Sequence, residues 1–146
     1  MRGGSNPVGI RVIDHDEPDF YPLIGPFLAR REIALEVGSP LWDEPGKHWL
    51  VALRDGRVVG LCAWLRQRHH VRLLSAYVVP EYRRQGVYAA LFASRLEAVG
   101  AIDLRSTVTP ASLGTFLRAG FRIDRRRGRY AFVHRAAVRV TAPKFP

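Results

Sequence analysis

The chain has 146 residues, of which 47% are hydrophobic and 25% charged, and it carries a net charge of +10 at pH 7. Such a length and balance predict a single globular domain and exclude an intrinsically disordered chain. No apolar stretch approaches the length of a membrane span, no signal-peptide pattern is present, and the one cysteine excludes an intramolecular disulfide framework. We therefore expect a cytoplasmic protein without a membrane partner.

The first half of the chain predicts a strand, a helix and a hairpin. Gly38 and Pro40 stop the helical pattern, and Asp55–Gly56 stands between two β-rich runs as the turn of the hairpin. The predicted elements are a flexible leader (residues 1–7), a strand (10–13), a helix (27–37) and the two hairpin strands (49–53 and 58–65). The remaining residues, 8–146, are expected to form the single domain.

The next segment predicts a strand, a sharp turn and a helix. The strand covers residues 73–79 and ends at Pro80, and the helix follows Gly86 and runs to about Val99, where Gly100 provides a C-terminal cap. Its predicted buried face consists of Val87, Ala90, Leu91, Ser94 and Ala98.

The last third predicts a strand, a short helix and a hairpin. Thr109 suits an N-cap and Pro110 the first helical position. The predicted elements are a strand (residues 102–108), a helix with Leu113, Phe116 and Leu117 buried, and strands 121–124 and 129–140 around the basic turn 125–128. That turn is interpreted as a solvated cluster of charge.

The turn before the central helix suits a phosphate or pyrophosphate. The first turn of a helix has backbone N–H groups without internal partners, at the positive end of the helix dipole. Gly86 lets a ligand approach this backbone because glycine has no β-carbon, and Arg83 and Arg84 add positive charge. The segment therefore predicts an anion site.

The same segment resembles the GNAT superfamily of acyl-CoA-dependent N-acyltransferases. That family has the pattern [QR]-x-x-G-x-[GA] after a strand ending in V-x-P, and this chain has Arg83-Arg84-Gln85-Gly86-Val87-Tyr88 after Val78-Val79-Pro80. Tyr88 replaces the last small residue of the pattern. The resemblance covers nearly the whole chain and implies a mixed, mostly antiparallel α/β (α+β) sheet of about six or seven strands, with about four helices and splayed central strands.

The resemblance also implies which residues hold acetyl-CoA. Backbone amides of Gln85, Gly86, Val87 and Tyr88 would bind the pyrophosphate, and Arg83 and Arg84 would support it by charge. Backbone groups of Val78 and Val79 would pair with pantetheine and polarise the thioester carbonyl. The histidines and the single cysteine lack metal-site spacing, so no metal is expected.

The residues that usually move protons in this family are missing here. The position of the family's usual tyrosine acid is Phe116, Thr109 stands where asparagine is frequent, and residues 72–79 contain no carboxylate. The substitute candidates are Tyr77, Tyr130 and Ser112. Each also has a structural interpretation, as a sheet aromatic for the two tyrosines and as a local hydrogen-bonding residue for Ser112.

The leading hypothesis is an N-acyltransferase that moves an acetyl group to a primary amine of a small molecule or a protein. One alternative is an enzyme of the same fold that acts on aminoacyl-tRNA or a DNA base, because the positive charge attracts polyanions. Another is a CoA-binding module without turnover. A homodimer is also considered, and the oligomeric state stays open.

Overall fold

The structure, a computed structural model, describes residues 8–137. Seven strands form one sheet in the order β1-β2-β3-β4-β5-β7-β6, in which only the β4–β5 pair is parallel. The strands are β1 (Gly9–Ile13), β2 (Lys47–Arg54), β3 (Arg57–Arg66), β4 (Val71–Val78), β5 (Leu104–Val108), β6 (Arg122–Arg127) and β7 (Tyr130–Arg135). The expected leader, residues 1–7, and the end of the last predicted strand, residues 138–140, lie outside the described residues.

Four α-helices cover the sheet: α1 (Phe20–Ile24), α2 (Arg31–Val37), α3 (Val87–Val99) and α4 (Pro110–Arg118), with 3-10 turns at Gly25–Phe27 and Pro80–Tyr82. Helices α1 and α2 pack on one face, around Trp49 and Val51 of β2. Helices α3 and α4 pack on the opposite face, where Phe92 and Phe116 meet Leu104. The predicted mixed, mostly antiparallel sheet with four helices is confirmed. No helix in the described part of the chain is long and apolar enough to cross a membrane.

The central strands splay, as the resemblance implied. Strands β4 and β5 pair only from Val71 to Leu73, opposite Leu104 to Ser106. Beyond Leu73 the two strands separate, although β4 continues to Val78 and β5 to Val108. The unpaired edges face each other across a cleft, which opens toward the N-terminus of α3.

Two helix predictions needed correction. The helix predicted at residues 27–37 begins only at Arg31, because Leu28 is extended and Ala29 has a positive φ of 58°. In α3 the predicted Val87 and Leu91 are buried, Ala90 and Ser94 are half-buried, and Ala98 is exposed, while Phe92, Arg95 and Val99 are buried in addition. Helical spacing alone does not distinguish the small residues from the larger side chains, which fill the space under the helix.

The C-terminal elements also differ from their prediction. Leu117 is 42% exposed, so Phe116 alone is fully buried in α4. Arg125, Arg126 and Arg127 belong to strand β6 and not to a turn, because Arg127 pairs with Tyr130. The two residues between them suffice for the reversal, since Gly128 adopts a positive φ of 59°.

Gly60 on β3 sets how closely α3 approaches the sheet. A β-carbon at this position would lie 2.9 Å from Val87 Cγ1, 3.0 Å from Leu91 Cδ1 and 3.3 Å from the Tyr77 carbonyl oxygen. We expect Gly60→Ala to lower the free energy of unfolding by about 1–3 kcal/mol, because the first turn of α3 must shift. Gly9→Ala on β1 is the matched control, since its β-carbon meets only Leu53 O, at 3.9 Å. Urea unfolding of both variants measures the difference, and equal midpoints would contradict the expectation.

Candidate active site

The cleft between β4 and β5 widens into a cavity of about 1000 Å³. Its wall includes the end of α2, strand β4, the first turns of α3 and α4, and the start of β7. Most of the predicted site residues line it: Tyr77, Val78, Arg83, Arg84, Gly86, Val87, Tyr88, Ser112 and Tyr130. Val79 and Gln85 lie beside the lining without being part of it.

The N-terminus of α3 has the geometry expected of an anion site. Gly86 is the N-cap residue with a φ of 82°, no side chain caps the helix, and an added β-carbon would meet nothing within 4 Å. The first amide bonded back along the helix is that of Ala90, to Gly86 O at 3.0 Å. The N–H groups of Val87, Tyr88 and Ala89 therefore have no partner within the helix. These donors, at the open mouth of the cavity, fit a pyrophosphate.

Tyr88, the departure from the family pattern, leaves the anion site open. Its ring centroid lies 6.2 Å from that of Phe92, one turn further along α3, and the side chain packs against the core between α3 and α4. The ring therefore turns toward the sheet, and its backbone N–H stays available at the helix start.

The two arginines of the turn differ in their surroundings. Arg84 is exposed, with a positive φ of 62°. Arg83 instead donates from Nε to Val78 O at 2.9 Å and pairs through Nη2 with Glu36 of α2 at 2.6 Å. Its guanidinium also lies 5.4 Å from the Tyr77 ring centroid. Arg83 thus ties the turn to α2, and Arg84 is the better placed of the two to add charge at the mouth.

The polar groups of Gln85 and Val79 have partners in the protein. Gln85 Oε1 accepts from Arg54 at 2.6 Å and its Nε2 donates to Glu81 O at 3.2 Å, which holds the turn in shape. The Val79 N–H donates to Val59 O of β3 at 2.9 Å. Of the two residues expected to contact pantetheine, Val78 faces the cavity and Val79 continues the β3 pairing.

The three predicted proton donors lie around the same cavity in different settings. Burial, with Glu36 adding to it, raises the pKa of Tyr77 above its ordinary value. The hydroxyl of Tyr130 rests on Gly38, where an added β-carbon would collide with it. Ser112 lies in the first turn of α4 and its backbone N–H bonds Thr109 O at 3.1 Å. Phe116 packs edge-to-face on Phe92 and on Phe121, with both centroid distances 4.9 Å, and has no proton to donate.

Two buried cations beside the cavity were not singled out by the sequence analysis. Lys47 at the start of β2 is 3% exposed, and Arg95 in the middle of α3 is 2% exposed. Lys47 Nζ donates to Trp42 O at 2.6 Å and to Ser75 Oγ at 2.8 Å. Arg95 Nη1 donates to Ala63 O at 3.1 Å and to Leu74 O at 3.3 Å. Both cations therefore converge on one stretch of β4 from opposite faces of the sheet.

A signal for Lys47 is present in the composition. The chain has 23 basic residues, and only Lys47 and Lys144 are lysines. An arginine at position 47 would supply the same charge. A lysine at the start of this apolar strand is therefore unusual in a chain whose basic residues are nearly all arginine. No comparable signal marks Arg95, which is one arginine among 21. No group of three or more His, Cys, Asp or Glu side chains that could hold a metal ion is found within residues 8–137.

Comparison with known proteins agrees with this geometry. The sequence model of the acetyltransferase (GNAT) family matches residues 11–121. A search of curated proteins by sequence gives no match. Among solved structures, an acyl-CoA N-acyltransferase from Pseudomonas aeruginosa is similar with a TM-score of 0.73 at 16% identity, covering 89% of this chain and 100% of that one.

Two further structures share the fold. Escherichia coli ElaA has a TM-score of 0.69 at 13% identity, covering 88% of this chain and 99% of its own. A GNAT family acetyltransferase from Elizabethkingia anophelis, solved with acetyl-CoA bound, has a TM-score of 0.60 at 11% identity and covers 90% of this chain and 98% of its own. At these identities the structures establish the fold, and the family match extends over most of the chain. The chain therefore belongs to the acetyltransferase (GNAT) family, as an enzyme of acyl transfer from acyl-CoA.

Proposed function

We propose that this enzyme transfers an acetyl group from acetyl-CoA to a primary amine by direct attack, with both substrates bound together. The observation that carries the proposal is the single cavity that begins at the free amides of α3 and continues along the unpaired edge of β4 to the face covered by α1 and α2. A donor held at one end of this cavity can meet an acceptor at the other. No covalent enzyme intermediate is required.

In this proposal each part of the cavity has one task. The amides of Gln85 to Tyr88, with the charge of Arg84, hold the pyrophosphate. The pantetheine arm pairs with the edge of β4 at Val78 like an added strand. Backbone N–H groups on the Ser75 side of Val78 polarise the thioester carbonyl. An uncharged amine then attacks the carbonyl carbon, the C–N bond forms, and the C–S bond breaks with its electron pair on sulfur.

An acceptor screen tests this function. Acetyl-CoA is incubated with spermidine, tyramine, an aminoglycoside and a peptide with a free N-terminal amine, and free CoA thiol is measured. Thiol release that depends on one of the amines supports the proposal. If calorimetry shows tight binding of acetyl-CoA and no amine accelerates thiol release, the chain is the non-catalytic CoA-binding module considered above.

A second candidate function, on a phosphate-rich acceptor, is favoured by one feature of the sheet. A second cavity, of about 280 Å³, lies against strands β4 to β7 and is lined by Arg72, Arg105 and Arg125. Arg72 also lines the main cavity. Positive charge thus adjoins the acceptor end. Affinity for tRNA and duplex DNA across a salt series tests this candidate, since neutralised phosphates make binding fall steeply with salt. No binding to either nucleic acid at low salt rejects this candidate.

The cytoplasmic location and the homodimer stay predictions.

A further inference from the structure

Among residues 8–137, Lys47 is the one buried lysine at the cavity, and the proposed function leaves it unused. Its ammonium lies under the loop that precedes β2, with the Trp49 ring centroid 4.5 Å away. An ammonium has three protons to donate and no lone pair to accept. Two of the protons go to Trp42 O and Ser75 Oγ, at 2.6 and 2.8 Å. In the second of these bonds Ser75 is therefore the acceptor.

This bond orients the Ser75 hydroxyl. Because a lone pair of Oγ is taken by Lys47, the hydroxyl proton is free to be donated elsewhere, and Ser75 lines the cavity. The backbone assists, since Ser75 has a φ of 61° at the point where the β3–β4 register slips. A non-glycine residue with positive φ is uncommon in a strand and often marks a functional position.

The position of Ser75 along β4 suits the reacting end of the donor. The cleft begins after Leu73, so Ser75 lies two residues inside it. Three residues separate Ser75 from Val78, which is about 10 Å along an extended strand. The anion site at Gly86 is beyond Val78, so a donor that is anchored there and follows β4 directs its thioester toward Ser75.

We infer that Ser75 and Lys47 deliver the proton that the departing thiolate of CoA takes up; the inference rests on the proposed acetyl transfer. As the C–S bond breaks, the electron pair stays on sulfur and accepts the Ser75 hydroxyl proton. Ser75 Oγ regains a proton from Lys47 Nζ. The attacking amine has meanwhile become an ammonium, and its surplus proton returns to Lys47 directly or through water. The sum is amide and free thiol, with the enzyme unchanged.

The choice of lysine supports this role. A guanidinium stays protonated at any pH the protein meets, whereas a buried ammonium can lose and regain its proton. Desolvation lowers the pKa of Lys47, and Arg72 acts in the same direction, while Glu44 and Asp43 oppose it. The net effect lowers the pKa of Lys47 toward the range in which it exchanges protons. The pair also supplies a donor where Phe116 replaces the family's usual tyrosine.

The test compares five variants in acetyl-CoA turnover with the best amine of the screen: Ser75→Ala, Lys47→Met, Lys47→Arg, Ser94→Ala and Ser112→Ala. We expect Ser75→Ala and Lys47→Met each to lower kcat by about a hundredfold or more, the usual contribution of a positioned acid. The KM and the calorimetric affinity for acetyl-CoA should change by less than about threefold, because neither residue belongs to the anion site. Lys47→Arg keeps the charge but cannot release a proton to Ser75, so its kcat should fall as far as that of Lys47→Met. Ser94→Ala, a half-buried serine of α3 outside the cavity lining, is the matched control.

The outcomes separate this inference from the proposed function. If the wild type turns over and Ser75→Ala has the same kcat, the inference is overturned while the proposed function stands. A larger loss of kcat in Ser112→Ala than in Ser75→Ala would assign the role to Ser112. A role of Lys47 in stability only would appear as a lower unfolding midpoint with kcat intact. Binding of acetyl-CoA by the wild type without turnover on any amine overturns the function and the inference together.

Discussion

Gly86→Asp is expected to abolish binding of acetyl-CoA. The side chain would project from the N-cap of α3 into space that is empty to 4 Å, in front of the free N–H groups, and would bring a negative charge to the place where the pyrophosphate binds. Charge repulsion opposes the pyrophosphate at this position, so we expect no measurable heat of binding in calorimetry at donor concentrations that saturate the wild type.

Gly100→Asp is the matched control for this substitution. Gly100 stands at the other end of the same helix, has a similar positive φ of 75° against 82° at Gly86, and also has open space at its missing β-carbon. A side chain at Gly100 suffers the greater backbone strain, because ψ is −162° there and 4° at Gly86, so the control is the more demanding of the two variants. If both lose affinity equally, the effect is a loss of helix stability. If Gly86→Asp keeps wild-type affinity, the pyrophosphate lies elsewhere.

Arg95→Ala is expected to cause a large loss of stability. The variant removes the hydrogen bonds that Arg95 donates to Ala63 O and Leu74 O, at about 1–3 kcal/mol for each bond. It also leaves a cavity behind the slipped register of β4, which adds to the loss. We expect a decrease of about 3 kcal/mol or more in the free energy of unfolding, measured by urea denaturation.

Two further variants, Arg95→Met and Arg118→Ala, identify the cause of the lost stability. Methionine fills most of the volume of Arg95 and removes a buried charge, so it should lose less stability than alanine although the same two hydrogen bonds are absent. Arg118 is an exposed arginine at the end of α4, and its removal should leave the unfolding midpoint close to that of the wild type. An Arg95→Ala midpoint equal to that of the Arg118 variant would contradict a role of the guanidinium in holding β4.

The features that sequence alone predicted are those with a local physical cause. The helix start at Gly86, where the anion site is proposed, follows from a strand, a glycine and a helix in direct succession. The turn at Asp55–Gly56 and the helix start at Pro110 are equally local. Each is determined within about six neighbouring residues, so a pattern in the chain suffices to predict it.

The features that the sequence did not predict depend on distant contacts. The Lys47–Ser75 bond joins residues 28 apart, and the bond from Arg95 to Ala63 joins residues 32 apart. Ser75 carries no sign of its positive φ, because glycine is the usual marker of such a position. A buried arginine on an otherwise apolar helix face is unpredictable for the same reason: only the assembled sheet supplies the carbonyl groups that receive its protons.

The near absence of lysine has a chemical consequence for a protein that handles an activated thioester. Lysine amines are the side chains that thioesters acylate most readily, whereas guanidinium groups stay protonated and do not attack carbonyl carbon. Within residues 8–137 the one lysine is buried, and the basic exterior consists of arginine. The arginine exterior of this part of the protein can therefore remain strongly cationic in the presence of its own reagent without becoming modified by it.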